Sequence, residues 1–405
     1  MMMWRFALRN LLRHRLRTSL TLGAVVFGVV GLTLSGGFVR DIFFQLGEGA
    51  IHSRLGHVQI AKRGYYEFGR RDPQRYLFDQ PGELETRLRE VPEVVEAMWR
   101  VKFAGLLNNG RTDLPIIGEG VEADKEARLG SAMTIIEGRQ LRDADDYGIL
   151  LGEGAAHSLE LHPGDYATLV VTSAGGALNT VDFKVVGVMR TMSRDYDARA
   201  VRIGLAAAQD LLLDERAHLL VLRLRETTAT DRVVAALRQM LPPDRYEVRP
   251  WYELADFYRK TVALYERQFG LLVGIVMIMV LLGVANSVNM TLFERIGECG
   301  TIMALGYRRR AVFRMLVQEN FLLGLLGGVV GVALGLLLAA MISWVGIPMP
   351  PPPNMSSGYI AAIRPGVEMI TLAFFVGVFA TLLASLWSAR RVVRIPVVDA
   401  LRHNG

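Results

Sequence analysis

The chain has 405 residues, 51% of them hydrophobic, with a single cysteine and a formal net charge of +6. Residues 47–260 carry 29 Lys and Arg against 33 Asp and Glu, leaving 17 against 7 for the remainder; the basic excess lies outside the long polar segment, which excludes a nucleic-acid partner for it. With Cys299 the only cysteine, an intrachain disulfide is excluded too, and a segment of about 200 residues must be held together by its core.

In chain order, Trp4 to Arg17 comes first, with Trp4, Leu8, Leu11 and Leu12 on one helical face and Arg9, Arg13 and Arg17 on the other. That pattern predicts an amphipathic helix lying on a membrane surface. The uncharged run 18–39 follows; its apolar length exceeds that of a signal peptide and no small-residue cleavage site comes after it, so we read it as an uncleaved span. Three more uncharged runs, 268–293, 320–345 and 369–389, are bunched near the C-terminus, and each reaches the roughly 20 residues needed to cross about 30 Å of hydrocarbon. Arg5, Arg9, Arg13, Arg15 and Arg17 precede the first span, Arg295, Arg308, Arg309, Arg310 and Arg314 separate the second and third, and Arg390, Arg391, Arg394 and Arg402 follow the fourth. These clusters place both termini in the cytoplasm, and the loop between spans three and four, with only Arg364, outside.

The sequence therefore predicts a membrane protein with four transmembrane helices and a large α+β extracytoplasmic domain inserted between helices one and two. The expected divisions are 1–45, 46–262 and 263–405. Within the insert, strands are expected at His57–Ala61, at Ala97–Leu107 and Leu114–Val121 around Asn109-Gly110, and at Tyr166–Thr172 and Leu178–Met189 around Gly175-Gly176. Short helices are expected at Gly152–Leu159 and Leu205–Leu213, followed by a strand–helix–strand unit at His218–Arg225, Ala229–Met240 and Tyr246–Arg249. This arrangement implies two subdomains, the middle one inserted between the outer pieces. From Trp251 to about Arg295 the chain reads as helix without a breaker, so the second span should begin as a stalk, and the first should continue past Phe44. Phe38, Ile42, Phe43, Phe44, Tyr258, Tyr265 and Phe269 at the stalk base are candidates for a cleft that greets acyl chains. The outer loop Pro350–Pro353 reads as stiff polyproline.

No glycine precedes any of the five lysines, Lys62, Lys102, Lys125, Lys184 and Lys260, so the phosphate-cradling GxxxxGK[ST] loop does not occur in this sequence. The seven histidines lack Cys or carboxylate partners at zinc spacing, and Asp143, Asp145 and Asp146 lack the Gly and terminal Glu of a calcium loop. No metal site and no catalytic residue is expected. Gly327, Gly331 and Gly335 form a small-xxx-small face in span three, suited to close helix packing, and Asn286 and Asn289 in span two read as interhelical hydrogen-bonding groups.

The loop between spans two and three runs Glu294-Arg295-Ile296-Gly297-Glu298-Cys299-Gly300-Thr301-Ile302-Met303-Ala304-Leu305-Gly306. It resembles the cytoplasmic signature of the FtsX-like permease family, ER-x-x-E-I-G-x-x-R-A-L-G, departing at Cys299 and Met303, where Ile and Arg are usual. Glu319 with the Gly-rich run Gly324–Gly335 is similar to the family's third span, and Pro396…Ala400-Leu401-Arg402 resembles its terminal P-x-x-A-L-R with one extra residue. Ala7-Leu8-Arg9-Asn10-Leu11 is similar to its opening helix. The resemblance implies a permease of the MacB and lipoprotein-release class of ABC transporters, working as a dimer of this chain with a second copy or a paralogue. It implies that Glu294, Arg295, Glu298, Gly300, Ala304, Leu305 and Gly306 form the element coupling it to a cytoplasmic ABC ATPase dimer. ATP and Mg would then be bound by that partner and none by this chain.

The expected function is ATP-driven extraction or export of a lipoprotein or another lipophilic envelope substrate, in a bacterial inner membrane. A periplasmic adaptor or lipoprotein acceptor and membrane lipid are the other expected partners. Two alternatives share the architecture: a MacB-like tripartite efflux component, and a non-transporting regulator of cell-wall hydrolases.

Overall fold

The computed structural model describes residues 15–69, 71, 73–78, 81–88, 91–129, 133–191, 193–294, 296–350 and 358–394. Most of the Trp4–Arg17 approach, Arg295, Pro351–Pro353 and the Pro396–Arg402 tail lie outside the described residues. Helix α1 (Arg15–Ala50) closes in a π-helical turn, Ile51–Leu55. Then come β1 (Val58–Lys62), α2 (Pro81–Leu88), β2 (Val94–Asn108), β3 (Asp113–Val121), α3 (Ala123–Leu129), β4 (Thr134–Gly138), β5 (Gly148–Gly152) and α4 (Glu153–Leu159). The insert finishes with β6 (Tyr166–Thr172), β7 (Leu178–Arg190), β8 (Ala200–Gly204), α5 (Leu205–Leu212), β9 (Leu219–Leu224), α6 (Thr230–Met240) and β10 (Tyr246–Pro250). Four helices follow: α7 (Asp256–Glu294), α8 (Ile296–Ala304), α9 (Arg309–Val345) and α10 (Val367–Val393). The chain divides into one unit of Met1–Phe43, Thr261–Pro348 and Ile360–Gly405, and another of Phe44–Lys260 with Met349–Tyr359.

In the first unit, α1, α7, α9 and α10 are each long and apolar enough to cross a membrane. Glycine decides how closely they pack. A Cβ on Gly327, Gly331 or Gly335 would lie 2.8, 2.8 and 3.1 Å from side-chain carbons of Val25, Val29 and Thr33, so the stripe on α9 beds against α1 in steps of one turn. Gly324 and Gly328, on a neighbouring face of α9, meet Thr381 and Phe374 of α10 in the same way. Val25, Val29, Val280, Val284, Val312, Ala380 and Ala384 form the buried centre. Because the Gly331 face touches both side chain and backbone of α1, Gly331→Val is expected to destabilise the helix bundle by roughly 1–3 kcal/mol through overpacking. Gly31→Val, at a position with open space beside it, is the control and should leave thermal unfolding in detergent unchanged.

The inserted domain is built on one ten-stranded sheet in the order β10-β1-β9-β2-β3-β8-β5-β7-β4, with β6 joining β2 to β7. Its first four strands, β10-β1-β9-β2, are mutually antiparallel neighbours and, with α2 and α6, make a split βαβ unit. Everything between Asn108 and Leu219 is inserted into that unit. The long strand β2 belongs to both parts: Val94–Arg100 pairs with β9, and Arg100–Asn108 with β3. Pairing then runs β3, β8, β5, β7, β6 and back to β2, which closes a six-stranded ring filled by Leu107, Leu169, Phe183, Val185, Ile149 and Ile203.

The predicted strands and helices of the insert lie within a few residues of where the sequence places them, apart from one correction. The helix predicted without a breaker from Trp251 is interrupted: Trp251–Leu254 is a short turn, Ala255 leaves helical geometry at φ −86° and ψ 78°, and α7 starts at Asp256. The cause is packing. The Trp251 indole is buried against Ile51, Leu55 and Ala255, with its ring 4.7 Å from that of Tyr258, and so bends a chain that no Gly or Pro marks.

Candidate functional site

The signature loop forms the helix α8, and its end is capped by a specific hydrogen-bond pattern. Gly306 takes φ +92°; its N–H bonds the carbonyl of Met303 at 3.1 Å, and Tyr307 N–H bonds that of Ile302 at 3.3 Å. This is a Schellman cap, and a residue with a Cβ would be strained there. Ile296, Gly297, Gly300 and Met303 are buried, Ile296 and Met303 at 5% and 9% exposure. Met303 belongs to the apolar centre of the helix bundle, which accounts for an apolar residue where the resembling family carries Arg. On the open side, Ala304, Leu305, Gly306, Tyr307 and Arg308–Arg310 are exposed, Leu305 at 76%. The structure thus joins Ala304, Leu305 and Gly306 in one protruding corner, with Gly300 turned inward. Glu294, Glu298 and Cys299 sit on helical positions whose side chains are outside the described set.

Of the cleft candidates, Phe43 and Tyr265 meet edge to face at 6.2 Å, and Phe269 lies 3.1 Å from where a Gly36 Cβ would be. Ile42 is buried within the chain's own bundle, Phe38 is half-buried, and Phe44 is 43% exposed. Close by on α1, Asp41 is fully buried. Its Oδ1 pairs with Arg364 Nε at 2.7 Å and its Oδ2 accepts from Ala362 N–H at 2.9 Å. The lone arginine of the loop between α9 and α10 therefore fastens that loop to α1.

A second set of residues, which sequence reasoning missed, holds the end of α1 within the inserted domain. Arg100 on β2 is fully buried. It donates from Nε to Glu126 at 2.9 Å, from Nη2 to the same carboxylate, and from Nη1 to the carbonyl of Arg54. Arg202 on β8 donates to the carbonyl of Ser53 at 3.0 Å, and its Nε lies 3.3 Å from Glu119 on β3. The last carbonyls of a helix lack intrahelical partners and carry its negative dipole end, so two guanidiniums are well matched to them. Burial alone would raise Glu119, but Arg100, Arg202 and Lys102 hold it down to about 2; burial pushes Lys102 down to about 8 against the pull of Glu119. One turn earlier, Thr227 donates to Glu48 at 2.6 Å and faces Nε2 of His57, whose Nδ1 accepts from Leu224 N–H. Burial, with His52 and Arg223 nearby, lowers His57 to about 4, so it stays neutral. Strands from both parts of the domain therefore grip the same helix end.

Among the described residues no group of three His, Cys, Asp or Glu could hold a metal ion. Four helices long and apolar enough to cross a membrane, with a capped loop helix and an α+β domain between the first two, define a multi-pass membrane protein.

The family comparisons agree over nearly the whole length. The MacB-like periplasmic core domain family matches residues 18–240, and the FtsX-like permease C-terminal family matches residues 270–397. The chain belongs to these FtsX-like, MacB-type permeases of ABC transporters. It is 25% identical to an uncharacterized ABC transporter permease of Methanocaldococcus jannaschii, over 83% of each chain. It is 22% identical to the macrolide export ATP-binding/permease protein MacB of Escherichia coli, covering 98% of this chain and 59% of MacB. It is 21% identical to the lipoprotein-releasing system transmembrane protein LolE of Haemophilus influenzae, covering 79% and 75%.

Proposed function

We propose that this chain is the permease subunit of an ABC transporter in which ATP hydrolysis by a partner ATPase drives extraction or export of a lipoprotein or other lipophilic envelope substrate. The observation that carries this reading is the exposed corner at Ala304–Arg310: an exposed leucine and tyrosine on a capped helix end, followed by three exposed arginines, suit docking into a groove of another protein. The gripped end of α1 supports a transmission role, since motion of that helix would be passed to both parts of the inserted domain. A second copy or a paralogue completes the membrane part. Only 11% of the apolar window of α7 is buried by its own chain, against 39–44% for the other three spans. Gly270 and Gly274 on α7 have open space beside them, and Asn286 is exposed, with no side-chain hydrogen bond among the described residues.

In this reading both termini and α8 are cytoplasmic and the inserted domain lies outside. Cys299 in intact cells should therefore resist a membrane-impermeant maleimide until the membrane is permeabilised; ready labelling beforehand would reverse the topology. The cargo is tested by photo-crosslinking from position 43. A lipidated protein adduct is expected for lipoprotein release. An efflux role, favoured by the match of the insert to the MacB-like core family, would instead leave that position empty and yield a periplasmic adaptor crosslinked to the inserted domain.

A further inference from the structure

Within the inserted domain, the end of α1, the turn at 191–196 and the segment 254–258 enclose a cavity of about 270 Å³. Its wall is mixed in chemistry. Leu46, Ala50, Leu254 and Phe257 contribute apolar lining, and Arg54, Tyr196 and Asp256 polar lining. The Thr191 hydroxyl is committed to Asp197 at 2.7 Å and is not available to a guest, and the Ser193 oxygen accepts from Tyr196 N–H. Arg54 and Tyr196 differ in this respect. The Arg54 guanidinium lies over the Tyr196 ring at 4.7 Å, and among the described residues no carboxylate comes within ion-pair distance of it. The Tyr196 hydroxyl is buried beside the Arg202 guanidinium, which can only donate to it, so its own O–H hydrogen is uncommitted.

The surrounding charge is unbalanced in the same sense. Arg54, Arg100, Lys102 and Arg202 share the neighbourhood of Glu119, and the paired carboxylates there are Glu119 and Glu126. Two further carboxyls lie nearby: Asp197, bonded to Thr191 and raised by burial, and Asp256, which lines the cavity and is paired with Arg259. A largely apolar pocket lined by Arg54, beside a cluster with surplus positive charge, is complementary to an anion with an apolar tail. The volume falls just below the roughly 300–1,000 Å³ of pockets for drug-sized ligands, which suits one short chain and excludes a bulky ring system.

We propose that this cavity binds a single-chain amphiphile with a carboxylate or phosphate head, the head on Arg54 and the Tyr196 hydroxyl and the chain along Leu46, Ala50, Leu254 and Phe257. The site is argued from this domain alone and stands whatever the transported cargo is. The test uses the full chain in nanodiscs of zwitterionic lipid, with hydrogen exchange followed at 44–56, 190–197 and 254–260. Decanoate and decyl phosphate are titrated side by side, with decyltrimethylammonium as the control of opposite charge. Saturable slowing of exchange at 190–197 by about tenfold or more with either anion, and none with the cation, is expected; the ratio of the two anions identifies the preferred head. Arg54→Gln should weaken binding at least tenfold, and Ala50→Leu should abolish it by filling the cavity. Phe257→Ser, at a residue that is half exposed, is a second variant whose folding is not at stake and should also weaken binding. Equal effects of cation and anions, slowing that survives both Arg54→Gln and Phe257→Ser, or no saturable slowing at all would overturn the proposal.

Discussion

Replacing Arg100 with methionine is expected to destabilise the inserted domain by about 3–5 kcal/mol, the typical cost of stripping one partner from a buried ion pair. The substitution leaves Glu126, 3% exposed, as an unpaired charge, and removes the donor to the Arg54 carbonyl at the end of α1. Pairing Arg100→Met with Glu126→Leu should recover much of the loss, because an apolar pair of similar volume carries no desolvation penalty. Arg128→Met, which removes a 57% exposed arginine from Glu96 while Arg223 stays 3.7 Å from that carboxylate, should have little effect. Denaturant unfolding of the full chain in detergent, followed through tryptophan emission, separates these outcomes. Equal small effects of Arg100→Met and Arg128→Met would show that the buried cluster does not anchor the helix end.

The second large effect is expected at the corner of α8. Gly306→Pro removes the N–H that bonds Met303 and cannot adopt φ +92°, so the Schellman cap is lost and the turn into α9 is rebuilt. Leu305→Asp leaves the turn intact but would bury an unpaired charge in any groove that receives it. Both should cut transport at least tenfold while the inserted domain keeps its unfolding profile, and Leu305→Asp should also release the ATPase during purification. Because Leu305 is 76% exposed in the isolated chain, a loss of function there cannot be ascribed to a disrupted core.

The four spans were legible because a run of about 20 apolar residues without charge matches the thickness of a bilayer and is seldom needed inside a water-soluble core. The Gly306 cap was legible in part, since glycine after an apolar helix marks an end. Strands β5 and β8 escaped notice: Gly148–Gly152 and Ala200–Gly204 are five-residue segments almost wholly buried, so they show no alternation to read. The gripping cluster escaped for a related reason. Arg100 and Lys102 alternate with Trp99, Val101 and Phe103, which reads as a strand with one wet face, yet both faces of β2 are covered there. Only the tertiary fold brings Glu119, Glu126 and Arg202 to them from three other elements. The bend at Ala255 carries no local signal, since the buried indole of Trp251 imposes it.

The central claim, that this permease is driven through α8, is tested most directly by a photo-crosslinking residue at position 307, where Tyr307 is 62% exposed beside the cap. In cells, ultraviolet irradiation should produce an adduct whose partner is an ABC ATPase carrying a phosphate-binding loop, and Leu305→Asp should remove that adduct while leaving the chain in the membrane. An abundant, membrane-inserted chain that gives no ATPase adduct from position 307 would contradict the account.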